Sequence, residues 1–384
     1  MRVLHIVSGR LYGGVETALV TMARCRSLCP ELEPEFALCF DGRLSDELTA
    51  AATPVHMLGE VRVRHPLSIL RARHKLRELL DGRAANVVVC HMAWAQAIFG
   101  PVARAARIPL IFWAHDAIET RHWLDRWAQL TPPDLAICNS HFTAATILRL
   151  YPRVPTQVVY CPVTPPAFSA SLNDRAEVRR EFNTPPDATV IVQVSRMERW
   201  KGQELHLETL GRMRDLPGWV CWMIGAAQRP NEVRYERELH AAAKQYGIED
   251  RVRFAGQRSD VPRILSAADI FCQPNTGPEP FGLTLIEALQ AGLPVITSAM
   301  GGATEVVNDS CGVLVRPGSV ADLALALRLL VNDAQLRRRL GASGPARARE
   351  LTDPAVQLSR LRSALGELPV TTERNSGRES LDLA

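Results

Sequence analysis

The sequence predicts an α/β protein made of two doubly wound domains, and three observations support this class. Short β-branched runs alternate with helix-length amphipathic segments along nearly the whole chain, the pattern of parallel sheets covered on both faces. A stretch rich in proline and small residues, "CPVTPPAFSASLNDRAE" at 161–177, interrupts this alternation, which then restarts. The length of 384 residues is ample for two domains, each with its own core.

The first domain is predicted to span 1–165. Amphipathic segments at 14–27, 66–81 and 140–150 are predicted to be helices between its strands. The predicted strands are the apolar runs "RVLHIV", "EFALCF", "PVHML", "NVVVCH", "PLIFWAH", "DLAICNS" and "QVVYCP".

The second domain is predicted to span 166–350. A last amphipathic helix at 351–367 is expected to cross back and complete the first domain, and the polar tail at 369–384 is predicted to be disordered. The strands of this domain are "TVIVQVS", "GWVCWMIG", "RVRFAG", "ADIFCQP", "LPVITS" and "CGVLV".

Composition indicates an ordinary globular protein. Hydrophobic residues make up 47% and charged residues 22%, and the net charge of +4 does not indicate a nucleic-acid partner. Nine scattered cysteines, most of them within apolar runs, are predicted to be buried thiols rather than zinc ligands. Their odd number and the lack of a secretory signal favour a cytoplasmic location.

Ligands of open parallel sheets bind beyond the carboxyl ends of the strands, and the first two motifs lie there. In "SGRLYGGVETAL" the pair Gly13 and Gly14 opens the first helix, where backbone amides can hold an anion, although a tight structural turn explains the glycines equally well. In "FWAHDAIE", His115 and Asp116 follow an apolar strand. We expect this pair to be more exposed than a core histidine would be, and helix capping is an alternative role for Asp116.

The third motif is "VSRMERWKGQELHLETL", after the first strand of the second domain. Arg196 and Lys201 flank a short loop there and suit a diphosphate, with solvated surface cations as the alternative. Further along, in "TSAMGGATEVV", Glu305 is predicted to be a carboxylate in the first turn of its own helix.

The fourth motif, "PEPFGLTLIEALQAG", carries two carboxylates, Glu279 and Glu287. A helix is predicted over 282–291, and the amides of its first turn suit a phosphate. Because Pro280 keeps Glu279 outside that helix, the two carboxylates are not expected to share a face. Different roles for the two are therefore predicted, rather than an acid/base couple.

Together these motifs resemble the retaining, nucleotide-sugar-dependent glycosyltransferases of family GT4, which have the two-domain GT-B fold. The resemblance extends over almost the whole chain. Its most specific part is Glu279-x7-Glu287 within "EPFGLTLIEALQAGLPVITSAMGGATEVV". The G-G-x-E at 13–16, the His-Asp pair and the R-x4-K-G at 196–202 match in order and spacing.

The resemblance implies a role for each matching residue. Glu287 would hold the ribose hydroxyls of the donor, and Arg196 and Lys201 would neutralise the diphosphate leaving group. Glu279 would bind hydroxyls of the transferred sugar, with His115 near that sugar and the acceptor. Backbone contacts to the phosphates and the sugar would come from Gly14, Phe281, Gly282, Leu283 and Thr284.

The resemblance also implies an enzyme without cofactor or metal, because Arg and Lys replace the cation, and UDP is the commonest donor base among similar enzymes. Two departures, Ala226-Ala227 in place of a glycine and "YCPVT" at the linker, bear on nucleotide contacts and hinge geometry. The alternatives left open are a GT-B sugar-nucleotide epimerase, a phosphorylase dependent on pyridoxal phosphate, and a non-catalytic nucleotide-sugar-binding subunit.

The acceptor is a hydroxyl compound that the sequence does not identify. Trp123 and Trp127, spaced i and i+4, are candidates to stack on an acceptor sugar, with core packing as the alternative. Residues 62–83 hold seven Arg or Lys against two acids. This segment is either a crossover helix with a solvated basic face or a peripheral contact with anionic membrane lipid.

Overall fold

The computed structural model describes residues 1–10, 12–82, 85–120, 122–165 and 172–368. It contains two parallel sheets whose strands alternate with helices, which confirms the predicted two-domain α/β class. The predicted tail at 369–384 and the centre of the predicted linker, 166–171, lie outside the described residues. The domain boundary near 165 therefore stays a prediction.

The N-terminal sheet has seven described strands in the order β3-β2-β1-β4-β5-β6-β7. They are β1 Arg2–Val7, β2 Glu33–Leu38, β3 Val55–Met57, β4 Val87–His91, β5 Leu110–Ala114, β6 Leu135–Cys138 and β7 Thr156–Val158. Its helices are α1 Gly14–Arg24, α2 Arg43–Ala50, α3 Pro66–Gly82, α4 Met92–Ala105, α5 Trp123–Gln129 and α6 His141–Ile147.

The C-terminal sheet has six described strands in the order β10-β9-β8-β11-β12-β13. They are β8 Thr189–Val194, β9 Trp219–Ile224, β10 Val252–Phe254, β11 Ile270–Gln273, β12 Val295–Ser298 and β13 Gly312–Val315. Its helices are α7 Leu172–Glu181, α8 Gln203–Gly211, α9 Pro230–Gln245, α10 Val261–Ala267, α11 Leu283–Gln290, α12 Ala303–Val306, α13 Val320–Asn332 and α14 Ala334–Thr352.

The central strands are buried along their whole length, which explains why they read as continuous apolar runs. Every residue of β4, β5, β8 and β9 is buried, because helices cover both faces of a parallel sheet. Some elements are shorter than predicted: β7, at the edge of its sheet, has three residues, and α1 ends at Arg24 before a 3₁₀ turn at Arg26–Leu28. In each sheet the chain reverses its strand order beside the first strand, which opens a crevice at the carboxyl ends there.

The last helix, α15 Pro354–Gly366, crosses back to the N-terminal domain as predicted. Asp353 ends α14 and caps α15, since its Oδ1 accepts hydrogen bonds from the amides of Ala355 and Val356. Leu358 and Leu361 of α15 then pack in the same cluster as the strand residues Val3, Val89, Ile111 and Trp113. No helix in the described part of the chain combines the length and apolar composition that crossing a bilayer requires.

Glu305 lies in the first turn of α12, as predicted, but its carboxylate also serves the other domain. Its oxygens accept hydrogen bonds from the amides of His141 (2.9 Å) and Phe142 (2.8 Å), at the start of α6 in the other domain. The hydroxyl of Tyr160 donates to the same carboxylate at 3.0 Å. Glu305 caps α6 because the exposed amides at that helix start need an acceptor, and the contact joins the two domains.

Candidate active site

The crevices of the two sheets face each other and enclose a cavity of about 420 Å³. Every residue that the sequence analysis assigned to catalysis or donor binding lines this cavity. They are Gly13, Gly14, His115, Arg196, Lys201, Glu279, Phe281, Gly282, Leu283, Thr284 and Glu287, together with Asp116 from the predicted acceptor side.

Glu279 is the most strongly coordinated side chain of the cavity. Its Oε2 accepts hydrogen bonds from Lys201 Nζ at 2.8 Å, Asn275 Nδ2 at 2.8 Å and Gln273 Nε2 at 3.2 Å. The side chains of Glu279 and Lys201 are 8% and 13% exposed, so the ion pair is shielded from solvent. Trp200 shields it further, since Lys201 Nζ lies 3.9 Å from the centre of that ring.

Gly301 and Gly302, in the segment "TSAMGGATEVV", hold the backbone of Glu279. Gly302 N donates to Glu279 O, and Gly301 pairs with Glu279 as an isolated parallel bridge. Gly301 has a φ of +64°, and a Cβ there would lie 2.4 Å from Glu279 O. Only glycine therefore allows the chain to approach Glu279 this closely.

Glu287 lies in the second turn of α11 and lines the cavity. Desolvation at this position raises the pKa of Glu287 to about 7. Glu279 comes before the helix and is bound to Lys201, so the two carboxylates differ in position, partners and electrostatics, as their separation by Pro280 predicts.

The start of α11 differs by one residue from the prediction. Gly282 is not in the first helical turn: it is the N-cap residue, with a φ of +97°, and the helix begins at Leu283. The amides of Leu283 and Thr284 are therefore the first of the helix, in the wall of the cavity.

The glycine loop of the N-terminal domain meets the same helix. A Cβ on Gly14 would lie 2.9 Å from Leu283 Cδ1, so a larger residue where the two domains touch would require the Leu283 side chain to shift. The prediction of a free anion site at the start of α1 is incomplete, because the amide of Gly13 already donates to Glu16 Oε2 at 2.9 Å. The G-x-x-E spacing of a capping box could have revealed this bond from the sequence.

His115 is buried, with 8% exposure, and the expectation of an exposed histidine is wrong. The strand-end position leaves Asp116 exposed, but the imidazole of His115 stacks on Trp113 with centroids 5.5 Å apart. Asn139, which the sequence analysis missed, donates from Nδ2 to His115 O at 3.0 Å and also lines the cavity.

Arg196 is near the glycine loop and already has a carboxylate partner. Its guanidinium pairs with Glu198 at 3.0 Å. Desolvation raises the pKa of Glu16, and the positive charge of Arg196 opposes part of that rise. A diphosphate at this position would therefore share Arg196 with two acidic side chains. Among the described residues, no cluster of His, Cys, Asp or Glu has the form of a metal site.

Trp123 does not line the cavity. It lies on α5, is 51% exposed and stacks on Trp127 with centroids 6.1 Å apart. Its predicted contact with an acceptor stays a prediction. The amides of Gln273 and Asn275 were also missed, although their position just after an apolar run at a strand end marked them as candidates.

Two Rossmann-like domains with a ligand cavity between their switch points define a protein of the GT-B type. The model of Glycosyltransferase Family 4 matches residues 12–165, and that of Glycosyl transferases group 1 matches residues 174–347. The chain therefore belongs to the GT4-like glycosyltransferases with the GT-B fold, which confirms the family resemblance drawn from the motifs.

Relatives support the same assignment. A crystal structure of HepE from Anabaena, in complex with UDP and glucose, superposes with a TM-score of 0.85 at 25% identity, covering 96% of this chain and all of HepE. The D-inositol 3-phosphate glycosyltransferase of Stackebrandtia nassauensis is 30% identical over 229 residues, 57% of this chain and 51% of that protein. The lipopolysaccharide core biosynthesis glycosyltransferase LpsE of Rhizobium meliloti is 31% identical over 167 residues, 43% of this chain and 46% of that protein. The chain thus spans about half the length of these curated relatives.

Proposed function

We propose that the protein transfers a sugar from a nucleotide-diphosphate sugar to a hydroxyl acceptor in the cleft between its domains. One observation carries the proposal: the Glu279–Lys201 ion pair, the start of α11 and Glu287 all face one cavity, which the glycine loop of the other domain closes. These groups match the three parts of a nucleotide sugar, namely the sugar, the phosphates and the ribose.

The chemistry explains why such groups are needed. Cleavage of a glycosyl–phosphate bond builds negative charge on the leaving diphosphate and positive charge on the sugar ring. Lys201, Arg196 and the amides of Leu283 and Thr284 are placed to stabilise the first, and the Glu279 carboxylate to stabilise the second. Because their partners hold them before the ligand arrives, little reorganisation is required during the reaction.

We further propose that transfer proceeds with retention and without a metal ion. Retention follows from the resemblance in Glu279-x7-Glu287, and proton NMR of the anomeric centre in the first product tests it. Arg196 and Lys201 supply positive charge where a metal would otherwise stand, and unchanged turnover in EDTA is the expected result. A tenfold or greater loss that magnesium restores would contradict metal independence.

UDP is the donor base we propose, supported by the UDP in the HepE structure. A thermal-shift panel of UDP-, GDP- and ADP-glucose tests this choice. At 100 times Kd the stabilisation is about 2.7 kcal/mol, which raises the melting temperature clearly. Stabilisation by GDP- or ADP-glucose alone would contradict UDP, and Lys201→Ala is the control that should weaken any true response.

Product analysis separates the alternatives. An epimerase would return an isomerised nucleotide sugar without an acceptor, and a binding subunit would return the donor unchanged. A transferase instead releases free nucleoside diphosphate at a rate that rises with the acceptor. Mixed glycan and lipid extracts supply acceptors of unknown structure. If the rate of nucleoside diphosphate release does not change when these extracts are added, transfer is contradicted.

We also propose peripheral contact with anionic lipid on the cytoplasmic side of a membrane. In α3 the residues Ile69, Ala72, Leu76 and Leu80 pack inward, whereas Leu67 and Leu70 are 67% and 59% exposed. Arg71 and Lys75 are exposed on the same helix; Arg83, at the end of the predicted segment, lies outside the described residues. This combination of exposed leucines and cations favours an anionic lipid surface.

Co-sedimentation with phosphatidylglycerol vesicles at low salt tests the contact. The double variant Leu67→Glu/Leu70→Glu is expected to lose binding, whereas Leu325→Glu, at a 72% exposed position in the other domain, should not. Equal binding by both variants, or no binding by the unaltered protein, would remove the proposal.

A further inference from the structure

Three histidines from neighbouring strands form one buried row in the N-terminal sheet. His5 lies in β1, His91 ends β4 and His115 follows β5. Because these strands are adjacent in the order β1-β4-β5, residues far apart in sequence come side by side. All three side chains are buried, with exposures of 1%, 3% and 8%.

The row is joined by hydrogen bonds between ring nitrogens. His5 Nδ1 lies 3.0 Å from His91 Nε2, and His91 Nδ1 lies 2.8 Å from His115 Nε2. His115 lines the active-site cavity, and its Nδ1, the ring nitrogen that is not used within the row, is buried and has no hydrogen-bond partner within the described ranges. At the other end, His5 borders a small separate cavity beneath α15, which Arg26 also lines.

The rings must share their protons in a restricted way. Burial lowers the pKa of His5 and His115 to about 3 and that of His91 well below its usual value, so each ring is neutral and carries one N–H at pH 7. Every hydrogen bond between two ring nitrogens needs an N–H on one nitrogen and a lone pair on the other. The three rings are therefore all protonated at Nδ1 or all at Nε2, and the choice decides whether His115 Nδ1 offers a proton or a lone pair to the cleft.

We propose that His5, His91 and His115 act as one tautomeric unit, in which His5 and His91 are positioning residues that set the hydrogen-bonding sense of His115 Nδ1 toward the ligand. The inference rests on the proposed function for its ligand, which is a sugar. The hydroxyl groups of a sugar can accept a hydrogen bond from His115 Nδ1 or donate one to it. The charged residues Asp116, Lys201 and Glu279 line the same cavity as His115. A change at His5 is thus transmitted to the cleft through His91 without a backbone movement.

Nitrogen-15 NMR of the full chain, labelled at histidine, tests the unit without any need for activity. Spectra at pH 7 distinguish the two neutral tautomers and the imidazolium. We expect His5, His91 and His115 to show the same tautomer. His5→Phe should shift the nitrogen resonances of His115, whereas Trp113→Phe, which alters the stacking but removes no bond of the row, should leave the tautomer unchanged.

Each of three results would overturn the proposal. They are different tautomers within the row of the unaltered protein, an imidazolium in the row at pH 7, and His115 resonances that do not shift in His5→Phe. A kinetic comparison then links the row to turnover. His91→Asn keeps a polar partner for His115 Nε2 and His91→Phe does not, so kcat should be at least about tenfold lower in the second, with donor KM little changed. Equal kcat values would contradict the positioning role, whereas a chain with no transferase activity but matched tautomers would fail only the proposed function.

Discussion

Replacement of Glu287 by glutamine is expected to stabilise the unliganded protein while weakening nucleotide binding. The structure raises the pKa of this carboxyl from 4.5 to about 7 by desolvation. Each pH unit between these values corresponds to about 1.4 kcal/mol, so the ionised carboxylate costs the folded state about 3 kcal/mol. Glutamine has a similar shape and carries no charge to desolvate.

The sign of the pH dependence follows from proton binding. Between pH 4.5 and about 7 the folded protein holds more protons at Glu287 than the unfolded chain does, so this group lowers stability as pH rises through that window. Below the window the carboxyl is neutral in both states and the penalty is absent. Above it the penalty is complete, and the advantage of Glu287→Gln should be largest.

Urea unfolding followed by circular dichroism at pH 5 and pH 8 measures the effect. The stability difference between Glu287→Gln and the unaltered protein should be under about 1 kcal/mol at pH 5 and about 3 kcal/mol at pH 8. Glu249→Gln changes an exposed carboxylate in the same domain and serves as the control. The same difference at both pH values would refute the argument from desolvation. Weaker UDP binding by Glu287→Gln would show that the carboxylate is retained for function.

Three other substitutions test separate contacts. Lys201→Ala leaves Glu279 with only amide donors and should lower transfer at least about a hundredfold with the circular dichroism spectrum preserved; near-normal turnover would reject the assignment. Gly14→Ala places a methyl group against Leu283 and should raise donor KM several-fold, and the double variant with Leu283→Ala should recover; no recovery would contradict the contact. Glu305→Gln removes the charge that caps α6 across the interface and should cost about 1–2 kcal/mol in thermal unfolding, whereas an unchanged midpoint would show that the contact is not stabilising.

Most of the fold could be predicted because buried parallel strands leave a strong signal. All thirteen predicted strands exist, and the central ones appear as continuous apolar runs because helices cover both faces of the sheet. The motifs follow the strands because the chain leaves a sheet at its carboxyl edge. The apolar runs do not predict the order of the strands within each sheet. The row of His5, His91 and His115 depends on β1, β4 and β5 being adjacent, so the burial of His115 could not be anticipated.

Contacts between side chains far apart in the sequence were the second feature that could not be predicted from the sequence. Glu305 looks like a carboxylate for its own short helix, and only the packing of the two domains brings it to His141 and Phe142. Glu16, by contrast, lies three residues after Gly13, and its capping bond was accessible from the spacing alone. Local rules thus predicted the elements, while the partners of individual charges required the tertiary structure.

A crystal structure of the protein with UDP tests the central proposal most directly. We expect the diphosphate between Lys201 and the amides of Leu283 and Thr284, with the ribose hydroxyls on Glu287. Two results would contradict the proposed donor site. One is a nucleotide bound outside this cavity, and the other is a nucleotide bound in the cavity whose ribose does not contact Glu287 although that side chain is accessible.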